Sequence, residues 1–347
     1  MKKRFSILGI TVLCAVSIGL NVMDSSAQSP SRFNDILQHW AESSILAAVQ
    51  KKYVDGYEDG TFKPDTPISR AEFIKMVALA TGEKVNKVNG DGWFQPYVDR
   101  LKEQGIIPDE FPERYNEPLQ RYEMSILSVR SVDKTLKGSM VDSTRMGLIH
   151  GVSRTDLDVY GTSSRAQAIT VIERILAAKN GEKLQVDKYA ASAAEIAETG
   201  SNVGTMLGLK AREVGTEWPY GTGVTVKLNQ LIIADPSDPD DPYMNLIKMS
   251  TFDNELDKTE NVVVLANFTV KVEVAGVNNG ELHPYQLLTL LDQTDQMLLA
   301  EQQLKRWIRF DEPQIQTGFV AFSRLRSSTI NGFTFDILGK KVPMATM

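Results

Sequence analysis

Three arginines carry the clearest chemical potential in this chain. They lie in the stretches Ile68-Ser69-Arg70-Ala71-Glu72, Leu119-Gln120-Arg121-Tyr122-Glu123 and Ser163-Ser164-Arg165-Ala166-Gln167. In each the arginine stands where a helix should begin, directly after a capping residue. A cation there opposes the helix dipole at a cost of roughly 0.3–1 kcal/mol, so stability alone would favour Asp or Glu. Meeting that cost three times points to another purpose. The unsatisfied N–H groups of a first helical turn converge there with a guanidinium, and together they suit a carboxylate or a phosphate. The competing reading is an arginine paired with an acidic neighbour across an interface between units.

Other chemistry is sparse. Trp40 and Trp93 precede the first two arginines by 30 and 28 residues; a tryptophan there serves either as core or as a platform for a sugar ring. His39, His150 and His283 lack metal-ligand spacing, and no metal site or cofactor is expected. The run Asp235-Pro236-Ser237-Asp238-Pro239-Asp240-Asp241-Pro242 collects hard oxygen donors, but it lacks the glycine and terminal glutamate of an EF-hand loop and reads as a solvated acidic turn. There is no Gly-x-Ser-x-Gly and no phosphate-cradling glycine loop. The chain is read as a non-enzyme.

The elements that position the arginines form a repeat. Lys52, Gly105 and Gly147 occupy one shared position, followed by Tyr53-Val54, Ile106-Ile107 and Leu148-Ile149. Each unit reads helix, loop, helix. Trp40, Ala41, Ile45, Ala48 and Val49 follow helical spacing, Asp59-Gly60 supplies a tight turn, and Pro64 and Pro67 keep the approach extended. Ser69 with Glu72 and Ser164 with Gln167 make capping boxes, and Gln120 with Glu123 a weaker one. The helices that follow should bury Phe73, Met76, Val77 and Ala80, then Met124 and Leu127, then Ala168, Val171, Ile172 and Ile175. An alanine-rich stretch at 189–198 reads as a short helix, and glycines at 200, 204, 208 and 215 then suggest a mobile connector up to about Gly223. From Val224 the period changes to two. Phe268, Val270, Val272 and Val274 alternate with polar residues, Asn279-Gly280 marks a turn, and strands are expected at 224–228, 246–249, 287–291, 297–299, 319–322 and 333–337.

The totals fit an exported protein. Lys2, Lys3 and Arg4 precede an apolar run from Ile7 to Leu20, and Ser25-Ser26-Ala27 offers small residues for cleavage. That run is shorter than the ~20 residues of a membrane span. Residues 1–27 therefore read as a signal peptide, with no membrane span after its removal. Cys14, the only cysteine among 347 residues, leaves with it, and so does a net charge of +2, taking the formal charge from −6 to −8. An acidic chain argues against nucleic acid as a partner. It also means that a bound anion must be held by local basic groups.

Residues 33 to about 181 resemble three tandem S-layer homology domains. The first copy carries the likeness in Phe33-Asn34-Asp35-Ile36, His39-Trp40-Ala41, Gly56-Tyr57-Glu58-Asp59-Gly60-Thr61-Phe62-Lys63-Pro64 and Ile68-Ser69-Arg70-Ala71-Glu72. The second keeps Trp93, Gly105 and Arg121 but has Asp109 where a second glycine is usual. The third keeps Gly147, Gly151 and Arg165. The resemblance implies a pseudo-threefold bundle that holds exported proteins on cell walls by binding a secondary cell-wall polysaccharide, often bearing pyruvate ketals. It implies Arg70, Arg121 and Arg165 as ligand contacts, with Trp40, Trp93, Gly56, Gly105 and Gly147 beside them. Lys52 departs from the glycine usual at its position. Residues 224–341 resemble, more distantly, a telokin-like immunoglobulin-type sandwich.

These readings predict a multidomain chain: a signal peptide at 1–27, an all-α S-layer homology bundle with repeats at 33–82, 89–133 and 136–181, a linker at 182–223, and an all-β immunoglobulin-like sandwich at 224–341. The expected function is non-covalent anchoring at the cell wall or cell surface through an anionic, pyruvylated polysaccharide, with the sandwich displayed for a protein partner. The alternatives are an exported wall-associated enzyme acting on glycan, or a minor structural component of a surface lattice.

Overall fold

Capping and pairing of short extended segments organise the first half of the computed structural model, which describes residues 33–86, 88–220, 223–248, 257–273, 281–283, 296–305, 307–337 and 340–347. The proposed signal peptide, the Asn279-Gly280 turn and the strand expected at 287–291 lie outside the described residues. Six helices come in pairs: α1 (Glu42–Gln50) with α2 (Arg70–Ala80), α3 (Gln95–Glu103) with α4 (Arg121–Val132), and α5 (Met140–Arg145) with α6 (Arg165–Lys179). Ser69 and Ser164 close full capping boxes with Glu72 and Gln167. At α4 the Gln120 N–H donates to Glu123 Oε2 at 2.9 Å.

Just before these caps the three units join. The Ile68 N–H donates to the Ser163 carbonyl at 2.9 Å, Ser163 to Leu119 at 2.8 Å, and Leu119 back to Ile68 at 2.8 Å. This is a closed ring of backbone hydrogen bonds, flanked by antiparallel bridges at Pro67–Ser164, Ser69–Pro118 and Gln120–Thr162. Ile68 and Leu119 are fully buried within one core that also takes in Ile36, Ile45, Phe73, Met124 and Ile172. Of the side chains expected inside, Ala80 alone is half-buried. A single unit is too small to bury much of its own apolar surface; sharing one core removes that limit.

The expected division into an all-α bundle of three repeats and an all-β immunoglobulin-like sandwich is overturned. The chain is a mixed α/β structure, with eight α-helices and ten strands among the described residues. The alanine-rich stretch forms the short helix expected there, α7 (Lys188–Thr199), and a further helix, α8 (Val203–Leu207), stands where a mobile connector was expected. Asp187 caps α7, while Gly200 and Gly208 adopt left-handed conformations that end the two helices. Two of the four glycines therefore terminate helices where they had suggested mobility.

The strands form antiparallel sheets. β3 (Val224–Ala234), β4 (Asn261–Val272) and β8 (Gln314–Leu325) make the centre of a five-stranded sheet edged by β2 (Glu217–Pro219) and β6 (Gln296–Leu298). One face packs on a three-stranded sheet of β1 (Lys210–Ala211), β10 (Lys340–Thr346) and β9 (Gly332–Ile337), with Phe322 edge-on to Phe335 at 5.2 Å. A further pair, β5 (Glu281–Leu282) and β7 (Ile308–Arg309), completes the described strands. The other face of the large sheet, with Ile232, Val263, Leu265 and Phe319, receives Tyr189 and Ile196 of α7. The opposite side of α7 buries Ala190 and Ala194 against Val141 and Leu157 of the third unit. One helix thus serves both halves. The segment expected as a strand at 246–249 has Leu246 ending a 3₁₀ turn and Ile247 in an isolated bridge to Ala300.

The acidic turn at 235–241 is neutralised by cations from both halves. Arg326 and Lys188 pair with Asp235, Lys188 also with Asp238 at 3.5 Å, and Arg154 with Asp240. The Asp241 carboxylate accepts the N–H groups of Asp235 and Tyr243 at 2.7 and 2.8 Å.

Lys52, Gly105 and Gly147 follow the first helix of each pair, with φ of 65°, 71° and 73°. The shared glycine is thus a requirement of the left-handed helix ending, and a lysine there is strained. Lys52→Gly should stabilise the protein by about 1 kcal/mol, read as a higher midpoint in urea; an unchanged or lower midpoint would refute the strain.

Candidate functional site

The helix N-termini that carry the three arginines are already occupied. The N–H groups of Arg70 and Ala71 donate to Glu117 and Tyr115 carbonyls, those of Arg121 and Tyr122 to Gly161 and Val159, and those of Arg165 and Ala166 to Thr66 and Pro64. Each pair of bonds crosses to the next unit. The open anion site expected from unsatisfied N–H groups is therefore filled by backbone carbonyls.

The side chains follow the same cyclic rule. Arg70, Arg121 and Arg165 are 6%, 5% and 6% exposed. Arg70 donates Nε and Nη2 to Glu123 Oε1 at 3.0 and 2.7 Å and Nη1 to the Arg114 carbonyl at 3.1 Å. Glu123, fully buried, also holds its own helix cap. Arg165 donates Nε to the Phe62 carbonyl at 3.2 Å and Nη2 to Asp55 at 3.3 Å, lies against the Tyr57 and Phe62 rings, and places Nη1 3.7 Å from Glu72 Oε1. Arg121 donates Nε to the Leu157 carbonyl at 2.8 Å and Nη2 to His150 at 2.7 Å. Burial pushes the Arg121 pKa down.

Two of these arginines border hollows between units. A hollow of about 370 Å³ is lined by Lys52, Asp55, Glu72, Lys75, Trp93 and Arg165, among others. Lys75 Nζ sits 5.4 Å from the centre of the half-buried Trp93 ring. A second, of about 310 Å³, is lined by Trp40, Arg121, His150, Gly151, Gln167 and Arg174, among others. Trp40 is 62% exposed, so it is not core. Arg70 lines neither hollow, and nor do Gly56, Gly105 or Gly147. Gly56 has a packing reason of its own, because a Cβ there would come within 1.9 Å of the Phe33 ring.

Arg174, Lys75 and His150 are the site residues that sequence reasoning passed over. A signal existed for the first: Arg174 follows Arg165 by nine residues, as Arg130 follows Arg121. Both secure carbonyls at the end of the preceding helix. Arg130 donates to Gly105, Ile106 and Leu136, whereas Arg174 donates Nη1 to Leu148 at 3.1 Å and Nη2 to His150 Nδ1 at 3.3 Å. Since arginine only donates, His150 Nδ1 carries no proton; its Nε2–H donates to the Gln185 carbonyl at 3.1 Å.

Two expectations follow. Arg70→Ala would leave Glu123 charged and unpaired in the interior, so it should lower stability by about 3–5 kcal/mol in a urea titration; a neutral effect would show the pair to be dispensable. Burial, with the Arg174 charge second, holds the His150 pKa below its ordinary 6.5 against the opposing Gln185 hydrogen bond and Asp187 charge. The unfolded chain then binds more protons between the folded value and 6.5, and stability falls as pH drops through that window. The wild-type melting temperature should fall more between pH 7 and pH 5 than that of His150→Gln; equal falls would count against this role.

Comparison with known proteins bears on the same region. Residues 32–74 match the family model of the S-layer homology domain. A cellulosome-anchoring protein of Acetivibrio thermocellus is 30% identical over 38% of this chain and 33% of its own length. Cell surface glycoprotein 1 of the same organism is 33% identical over 32% of this chain and 6% of its own. Enzymes also match: exoglucanase XynX of A. thermocellus is 24% identical over 43% of this chain and 16% of its own length. The chain thus spans a third or less of each of these relatives. The match to the S-layer homology domain spans the segment that supplies Trp40, Lys52, Gly56 and the capped start of α2.

Proposed function

We propose that this chain attaches non-covalently to the cell wall by binding a secondary cell-wall polysaccharide whose acidic groups, of the pyruvate-ketal type, enter the hollows between units. The observation that carries the reading is the pairing of one tryptophan with one buried guanidinium in each of two hollows: Trp93 with Arg165, and Trp40 with Arg121. An indole offers a flat apolar surface to a sugar ring, and a guanidinium offers paired donors to a carboxylate. The S-layer homology domain supports a wall ligand, and so do relatives named for cellulosome anchoring and cell-surface location.

In this reading Arg70 is a structural arginine and the number of binding hollows is two. Two weak sites on one rigid body act together on a repeating polymer. The sheets beyond α7 are carried to the surface by the same attachment, ready for a protein partner.

Residues 28–347 should co-sediment with purified walls of the source cell. Removal of the wall polysaccharide should abolish sedimentation, and removal of pyruvate alone should reduce it about tenfold or more, the worth of a charge-assisted hydrogen bond. Sedimentation that survives loss of the polysaccharide would refute the proposal.

A further inference from the structure

An asparagine followed by glycine can modify itself. The glycine backbone nitrogen, unhindered by a side chain, attacks the asparagine Cγ. The N–Cγ bond forms, the Cγ–Nδ2 bond breaks and ammonia leaves. Water then opens the five-membered imide at either carbonyl, giving aspartate or isoaspartate. The peptide after the asparagine must turn toward Cγ for the ring to close, so a backbone held by hydrogen bonds reacts only after it opens locally. The chain has four such pairs, at 89–90, 180–181, 279–280 and 331–332; the third lies outside the described residues. Two of the others are held. The Gly181 N–H donates to the Ala178 carbonyl at 3.0 Å, and the Asn180 N–H to Leu176 and Ala177 at 3.0 and 3.1 Å. Gly332 opens β9 in register with Thr346, and a Cβ there would come within 2.2 Å of the Ala345 carbonyl oxygen. Asn89 and Gly90 differ. Both are exposed, the Gly90 N–H donates to no backbone carbonyl among the described residues, and a Cβ on Gly90 would meet nothing within 4 Å. We propose that Asn89 is a site of spontaneous deamidation, and that its conversion to isoaspartate loosens the turn that carries Trp93.

The pair sits between α2 and α3, where the first unit passes into the second. The turn that follows it sets the start of α3. The Trp93 N–H donates to the Gly90 carbonyl at 3.1 Å, and the Gln95 N–H to the Gly92 carbonyl at 2.9 Å. No side chain caps α3, and Pro96 in its first turn brings no N–H, so these carbonyls are what fixes the entry. Trp93 stands edge-on to Phe94 at 5.7 Å and borders the first hollow. Isoaspartate routes the main chain through Cβ. It inserts one methylene immediately before Gly90 and leaves a carboxylate two residues from the exposed Asp91. The longer chain displaces the Gly90 carbonyl from the Trp93 N–H, and the added negative charge sets two carboxylates against each other. The chemistry needs no ligand, so it stands or falls apart from the function proposed above.

The test is incubation of residues 28–347 in mildly alkaline buffer, with mildly acidic buffer as the control, since the attacking amide must lose its proton. Peptide mapping by mass spectrometry locates each amide-to-acid conversion, and isoaspartate methyltransferase with labelled S-adenosylmethionine counts the isoaspartate. Asn89 should convert in the alkaline buffer at close to the rate of a synthetic peptide of residues 88–95. Asn180 and Asn331 should convert about tenfold or more slowly, the worth of the backbone hydrogen bonds that must first break. A rate at Asn89 as low as theirs overturns the proposal, and so does equal conversion in the two buffers. Asn89→Gln, an exposed substitution whose longer side chain closes its ring far more slowly, should lose the methyl label at this position; a label retained there overturns the assignment. In the converted wild-type chain the indole N–H resonance of Trp93, assigned with Trp93→Phe, should shift, and in incubated Asn89→Gln it should stay in place. Conversion at Asn89 with no shift at Trp93 overturns the effect on the turn.

Discussion

The backbone ring through Ile68, Ser163 and Leu119 leaves each arginine-led helix with its first N–H groups bonded to the neighbouring unit. This constraint explains the arginines. A cation at a helix start is unfavourable when the only nearby groups are the helix's own N–H donors. Here the neighbour's carbonyls crowd the same spot and reverse the local sign. The guanidinium then reaches further carbonyls of the next unit, at Arg114, Leu157 and Phe62. Each arginine is a fastener between two units, and a threefold arrangement needs three of them.

Much of this arrangement was legible in the residues. The capping boxes marked the starts of α2, α4 and α6, and the apolar positions behind them identified the shared core. Period-two alternation located β4, and the apolar stretch expected as a strand at 319–322 lies in β8. The partners of the arginines were not legible, because Glu123 lies 53 positions from Arg70 and only the cyclic closure joins them. The position shared by Lys52, Gly105 and Gly147 was recognisable, and its backbone requirement is a left-handed helix ending.

The region between the halves was misread for a physical reason. Its glycines are spaced like a flexible linker, yet Gly200 and Gly208 end helices at positive φ. The alanines of α7 were legible as a short helix, but not the reason for their size. They are small because two layers press on that helix: the third unit on one side and the large sheet on the other. The acidic turn at 235–241 shows the same limit. Its cations, Arg154, Lys188 and Arg326, are remote in sequence from one another and meet only in the folded chain.

The double burial of α7 has a mechanical consequence. If, as proposed, the three units are held to a wall and the sheets are pulled, the load passes through α7. It must cross α7 as shear between Ala194 on one flank and Ile196 on the other, with the Arg154–Asp240 contact bridging in parallel. Shear across two packed faces resists small displacements, so in the proposed attachment the sheets keep a set orientation relative to the three units.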